Sequence, residues 1–453
     1  MASEMCFGMS VRCIAVPSCS VESAGVSTTG SHVLLVAPGS ALADRRTGIH
    51  CCRQNAARAN WCRLTSSCCQ GSFFGTRRDV EMRTQRSAAH CIREVSSFCV
   101  ASMDERTILQ SGTRGVVDLE ARRPTVSVAI REALGSCLTE TSLSETVPLL
   151  GPKTRGKVRD TYEAGDYLVL VTTDRQSAFD RVLASVPFKG QVLNETSVWW
   201  FNKTRHITGN SLVVAPDPNV TIARKCSVFP VEFVVRGYVT GTTSTSLWTV
   251  YNQGLRNYCG NPLRDGMWKN EKLDENILTP TTKSADHDLP VSGNEIVEQG
   301  LMSKEDFQEV HDKALALFAF GQEVALKHGL LLVDTKYEFG KASDGSILLI
   351  DEVHTPDSSR YWIAASYEDR QSQGMEPENI DKEFLRLWFR NNCDPYHDKV
   401  LPNAPEELVA ELAWRYIVLY ETITGTQIQL PGTKEPVHDR ISRNVQQALL
   451  QLQ

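Results

Sequence analysis

From about Thr125 onward the chain alternates short apolar runs with turn residues, and the spacing of those runs predicts its elements. The unbroken run YLVLVT at Tyr167–Thr172 predicts a buried strand, and VEFVVRGYV at 231–239, with its alternating character, predicts a second. Residues 330–339 and ILLIDEV at 347–353 predict two more. Between the last two stands Asp344-Gly345, a strong short-range turn signal, so 331–339 and 347–353 are expected to pair as an antiparallel hairpin. Ser303 reads as a helix N-cap with Glu305 and Asp306 in the first turn, the helix running to about His328 with Gly329 as its stop. Another helix follows Pro405 and ends near Gly425. Strands come first, a mixed region follows and helices close the chain, which predicts an α+β fold rather than a doubly wound parallel sheet.

Composition divides the chain. At 453 residues it is long enough for two or three domains with real cores. No stretch reaches the roughly 18 apolar residues of a membrane span, and the apolar patch at 33–37 is too short for a secretory signal. Residues 1–124 hold 15 Arg, no Lys and 10 acidic residues, a net of +5, whereas 125–453 stand at −11; the first Lys is Lys153. Ten of the 14 Cys lie in the first 99 residues, as adjacent pairs and lone residues rather than at Cys-x-x-Cys spacing, which argues against a zinc or disulfide module. A Ser- and Arg-rich, Lys-free leader with few acids is the composition of an organellar transit peptide. A merely disordered extension shares its low periodicity, and composition favours the transit peptide. The expected division is 1–124 as transit peptide and disordered spacer, 125–230 as a strand-rich nucleotide-binding lobe, and 231–453 as an α+β lobe with the terminal helices.

Four stretches carry candidate chemistry. GPKTRGKVRD at 151–160 sets Lys153, Arg155, Lys157 and Arg159 around Gly151 and Gly156, just before a predicted strand. Cations beside a glycine that permits close backbone approach suit a phosphate-covering turn, although the Walker spacing is missing and a solvated basic turn looks the same. In DTKYE, residues two apart share a strand face, so Asp334, Lys336 and Glu338 project together, with Asp351 of DEV on the expected partner strand. Charges on an otherwise apolar strand are costly to bury unless paired or metal-bound, which fits Mg²⁺ completed by nucleotide phosphates, or else a structural ion-pair ladder. HTPDSSRYW at 354–362 and RGYVTGTTSTS at 236–246 each join an Arg to hydroxyl residues, a combination that suits a monophosphate or carboxylate pocket. Cys137, Cys226, Cys259 and Cys393 stand in no Cys/His pair and are expected to be reduced core thiols.

Together GKVRD at 156–160, TTDRQSAFD at 172–180, FPVEFVVRGYVTGT at 229–242, VDTKYEFG at 333–340 and DEVHTPDSSRYW at 351–362 resemble, in order, the motifs of the SAICAR synthetase family, the phosphoribosylaminoimidazole-succinocarboxamide synthases. The resemblance spans about 151–425, and the wording of 243–254 and 278–290 looks most like plant members. It implies a two-lobed fold with antiparallel sheets, a nucleotide cleft between the lobes and helices at the C-terminal end. It also implies an ATP-dependent ligase of purine biosynthesis, in which ATP activates the carboxylate of carboxyaminoimidazole ribotide (CAIR) as an acyl phosphate and the amine of L-aspartate then forms the amide. By similarity Gly156, Lys157 and Arg159 lie over the ATP phosphates with Lys336 reaching them, and Lys189 is a nucleotide neighbour. Glu338 and Asp351 match the metal-binding carboxylates, with Mg²⁺ as the ion. Arg236, Thr242, Arg360 and the adjacent Ser359 match ribotide-phosphate positions, Thr242 standing where the family usually has Ser. Asp180 matches a substrate-side acid, and Asp286, His287 and Asp288 fall in a stretch similar to a family loop near the substrates. The plant likeness together with the leader implies the plastid, or else the mitochondrion as well.

A kinase would also combine a nucleotide loop, a Lys and metal carboxylates, but no His-Arg-Asp catalytic string with its downstream Asn occurs. A non-catalytic nucleotide-binding regulator should have lost Lys336 or a metal carboxylate, and all are present. The acidic balance and the absence of aromatics striped with basic residues argue against nucleic acid as a partner, and no membrane partner is expected. Oligomeric state is not legible.

Overall fold

The computed structural model describes residues 119–453 apart from 180, 284–288, 381 and 433–434, so the expected transit peptide, Asp180 and Asp286 to Asp288 lie outside the described residues. A helix covers Leu119–Ala133 and crosses the expected boundary at residue 124. Leu119, Val126 and Ile130 enter the main core, and Arg122 and Arg123 pair with Glu421 and Glu411 at 3.1 and 3.0 Å. The folded part therefore begins earlier than the change in composition suggests.

The first sheet has five strands, ordered Lys153–Arg155, Arg159–Ala164, Tyr167–Thr172, Val220–Arg224 and Leu212–Asp217. Gly165, at φ +61°, makes the tight turn that sets Ala164 opposite Tyr167. The second sheet runs Leu289–Pro290, Thr281–Thr282, Val231–Tyr238, Leu330–Tyr337 and Ser359–Ile363, with Lys272–Leu278 also paired to Val231–Tyr238. A three-stranded sheet joins Ser227–Val228, Phe339–Lys341 and Ile347–Leu349. Every strand pairing in these sheets is antiparallel, in keeping with the α+β expectation.

The expected hairpin forms only at its tip, where Phe339 to Lys341 pair with Leu349 to Ile347 around a turn with Gly345 at φ +84°. Leu330–Tyr337 takes no part, because its two edges are already bonded to Val231–Tyr238 and Ser359–Ile363. Both expected helices are present. Ser303 Oγ accepts the Asp306 amide at 3.0 Å ahead of Lys304–Lys327, Gly329 follows at φ +74°, and Glu406–Thr424 ends at Gly425 with φ +66°.

Val437–Leu452 is an amphipathic helix that the expected division assigns to the second lobe. It packs on the first sheet instead, with Ile441, Val445 and Leu449 in one core with Tyr162, Val169, Val171, Val220 and Ile222. Arg440 clamps Asp217 at 2.9 and 3.0 Å. None of the described helices is long and apolar enough to cross a membrane.

Candidate active site

The strand Leu330–Tyr337 is the spine of the site. It is central in its sheet, so polar side chains on it are surrounded by protein and must find partners there. Lys336 Nζ lies 2.6 Å from Glu338, 2.9 Å from Glu232 and 3.6 Å from Asp351. Glu338 also takes Lys283. Asp351, in the loop after the small sheet, takes Arg159 of the first sheet, whose second nitrogen is 3.3 Å from Glu352. Burial alone would raise the Asp351 carboxyl, but Arg159 and Lys336 outweigh it and hold it below the usual carboxylate range. Burial likewise opposes the charges of Lys336 and Arg159, and the surrounding carboxylates reverse that and lock both as cations. Glu352 is raised by its burial.

Two residues back on the same strand, about 6.6 Å along it, Asp334 serves as counter-ion to two arginines. Arg360 contacts it directly and Arg236 stands 3.9 Å away, the three being register partners across the sheet. Arg236 also donates to Thr279 Oγ1 at 2.8 Å and to the Thr245 carbonyl at 3.3 Å, and burial lowers its pKa against the pull of Asp334. Gly241, at φ +100°, brings the 240–246 loop in so closely that a Cβ there would lie 3.5 Å from Arg360 Nη2. Thr242 on that loop donates to Glu383 at 3.3 Å, and Ser359 Oγ lies 2.8 Å from Thr335 Oγ1. Arg236 and Arg360 are thus brought together on one carboxylate with the 240–246 loop beside them, whereas Ser359, one position along its strand, alternates to the other face with Thr335.

Gly156 and Lys157 occupy the exposed turn leading into the Arg159 strand, closed by the Gly156 amide donating to the Arg159 carbonyl at 2.8 Å. Lys153, also on the predicted basic turn, is occupied by Glu140 at 2.6 Å. Lys189 is fully buried, its Nζ 2.7 Å from Asp357, so the structure places it among protein groups. Asp357 also accepts from Tyr416 at 2.7 Å and Gln176 at 3.2 Å and faces Lys382 at 3.7 Å; burial lowers Lys382 to about 8. His354 is no site residue. It is wholly buried against Trp200 with Nε2 beside the Tyr337 hydroxyl, and burial pulls its pKa down to about 3, so the ring is neutral. Cys137, Cys226, Cys259 and Cys393 are free thiols, all raised with burial as the first cause, but each is only partly buried, so the expectation of core thiols fails in its burial.

Glu232, Lys283, Glu352, Asp357 and Lys382 escaped the sequence reading. Glu232, Glu352 and Asp357 lie inside motifs already singled out, whereas Lys283 and Lys382 lie outside them. Among the described residues no group of three or more His, Cys, Asp or Glu could hold a metal by itself. Glu338 and Asp351 offer two hard oxygen donors, and Glu232, Glu338, Asp351 and Glu352 outnumber Arg159, Lys336 and Lys283, an excess of acid that fits Mg²⁺ with phosphates completing its shell.

The sequence model of the SAICAR synthetase family matches residues 152–403. The chain is 70% identical over 331 residues to the chloroplastic phosphoribosylaminoimidazole-succinocarboxamide synthase of Arabidopsis thaliana, covering 73% of this chain and 80% of that one. It is 61% identical over 310 residues to the enzyme of that name from Legionella pneumophila, covering 68% and 98%. Among solved structures it resembles the SAICAR synthase of Saccharomyces cerevisiae complexed with SAICAR, at a TM-score of 0.56 and 31% identity, over 65% of this chain and 100% of that one.

Proposed function

This chain belongs to the SAICAR synthetase family, and on that premise we propose how its cleft performs the ATP-dependent joining of L-aspartate to CAIR in purine biosynthesis. The observation that carries the assignment of residues is the arrangement along one strand. Lys336 with its carboxylates and Arg159 forms one charged centre, and Asp334 with Arg236 and Arg360 forms another two residues away. Gly156, Lys157, Arg159 and Lys336 hold the ATP phosphates, and Arg236, Thr242 and Arg360 hold the ribotide phosphate. A CAIR carboxylate oxygen attacks the γ-phosphorus, ADP leaves, the aspartate amine attacks the acyl phosphate, and inorganic phosphate departs with the amine proton passed to a base. Two anions must approach for the first step, and the locked cations Lys336 and Arg159 offset their repulsion. Glu338 and Asp351 would hold Mg²⁺, which supplies charge neutralisation and orientation of the phosphates. Asp180 is the proposed substrate-side acid, and Lys189 contributes by fixing Asp357 beneath the site.

The proposed domain plan keeps a leader ahead of the helix at Leu119–Ala133 that delivers the enzyme to the plastid. The Arabidopsis and Vigna aconitifolia relatives, both 70% identical, are chloroplastic by name, and a mitochondrial destination has no such support. The test is a four-component assay of the purified chain: SAICAR is expected only when ATP, Mg²⁺, CAIR and aspartate are all present. ADP release that continues unchanged without CAIR and aspartate would overturn the ligase mechanism and favour a kinase or nucleotide-binding regulator.

A further inference from the structure

Arg175 lies outside every role assigned above, yet it is one of the largest fully buried side chains in the protein. Its partners are unusual for a buried arginine. Nη2 is 2.8 Å from Asp160, which accounts for its charge, but the other bonds go to main-chain carbonyls. Nη2 donates to Gly156 and Arg159, each at 3.0 Å, Nε to Lys157 at 3.1 Å, and Nη1 to Thr139. The remaining carbonyl of the turn, that of Val158, accepts from the Thr173 amide at 2.9 Å and from Thr173 Oγ1 at 2.7 Å. All four carbonyl oxygens of 156–159 are therefore drawn inward by Thr173 and Arg175, which flank Asp174 just after the strand Tyr167–Thr172.

A turn that covers phosphate has to show the anion N–H groups and keep its carbonyl oxygens away, since a peptide oxygen pointing at a phosphate repels it. We propose that Arg175 is a positioning residue for nucleotide binding, which turns the carbonyls of 156–159 away from the cleft and so sets the face that receives the ATP phosphates. The proposal rests on the placement of ATP over Gly156 and Lys157. A guanidinium is required because its fork of five donors reaches acceptors on two sides at once, whereas an ammonium in the same place could keep Asp160 company but not span the turn.

The experiment compares Arg175→Lys, Thr173→Val and Lys157→Ala in the full chain, with KM for each substrate, kcat and the thermal midpoint. Arg175→Lys is expected to raise KM for ATP about tenfold or more, as displacement of a positioning group does, while KM for CAIR and for aspartate stays unchanged. A purely structural role would lower the thermal midpoint and leave KM for ATP where it was, and that result overturns the proposal. Should Arg175→Lys fail to fold, Thr173→Val decides: it removes the hydroxyl that donates to the Val158 carbonyl and accepts the Arg175 amide, leaving the Thr173 amide as that carbonyl's donor, and a selective rise in KM for ATP supports the proposal while no rise overturns it. Lys157→Ala separates the two levels. An unchanged KM for ATP in that variant removes the nucleotide from the turn, whereas a raised one beside a normal Arg175→Lys removes only the role given to Arg175.

Discussion

Arg159 and Asp351 stand 192 positions apart in the chain and form one ion pair, which ties the first sheet to the loop leaving the small sheet. Lys336 shares the same carboxylate from 3.6 Å, so the charged groups proposed to act in phosphoryl transfer are held together by one another. Preorganised charge of this kind costs no rearrangement at the moment of reaction.

The carboxylates of that centre should govern the metal requirement. Glu338→Gln and Asp351→Asn are each expected to raise the Mg²⁺ concentration for half-maximal rate by about 10- to 100-fold and to lower turnover, with circular dichroism unchanged. A Mg²⁺ titration of the initial rate reads this directly, and near-normal curves would remove these residues from the metal site.

The arginine pair should govern the ribotide. Arg360→Lys keeps the charge near Asp334 but loses the planar fork, so KM for CAIR should rise about tenfold while KM for ATP stays constant. Steady-state kinetics with each substrate varied in turn distinguishes this from a general loss of activity.

His354 should make stability depend on pH. Its folded-state pKa is pulled from 6.5 to about 3 by burial, so between those values the unfolded chain binds a proton that the folded chain does not. Stability is thus full above 6.5 and falls as pH drops toward about 3, by up to about 1.4 kcal/mol for each pH unit. Urea unfolding across this window should show a shallower slope in His354→Gln than in the natural chain. Equal slopes would mean that the ring is not the group being titrated.

The terminal helix should be a structural part of the layer built on the first sheet. Ile441 is fully buried against the first sheet, and Ile441→Ala is expected to cost about 2 to 5 kcal/mol. Hydrogen exchange should show the lost protection in Tyr167–Thr172 and Val220–Arg224. A loss confined to the helix itself would mean that the sheet is stable without it.

Elements whose signal is local were legible in the sequence. Tyr167–Thr172 has the predicted bounds, and the helices at Lys304–Lys327 and Glu406–Thr424 start and stop at the residues whose chemistry marks a cap. Pairing was less legible, because an apolar run says that a strand is buried but not which neighbours bury it. Hence 330–337 left the expected hairpin for a central place between two other strands. The amphipathic stripe of Val437–Leu452 likewise gives a helix but not its sheet. In the site, Lys336 and Glu338 could be grouped because two-residue periodicity puts charges on one strand face, whereas Asp351 reaches Lys336 from a loop and not from the expected partner strand. The sharing of Asp334 by Arg236 and Arg360, and the burial of Lys189 on Asp357, depend on tertiary register that no spacing within a motif reveals.

The return of the chain to its first sheet has a consequence for synthesis. Strands formed from 153–224 keep an apolar face uncovered until residues 437–452 have left the ribosome, some two hundred residues later. The sheet translated first is therefore the last to be completed, its apolar face open to wrong contacts while the second sheet is being made.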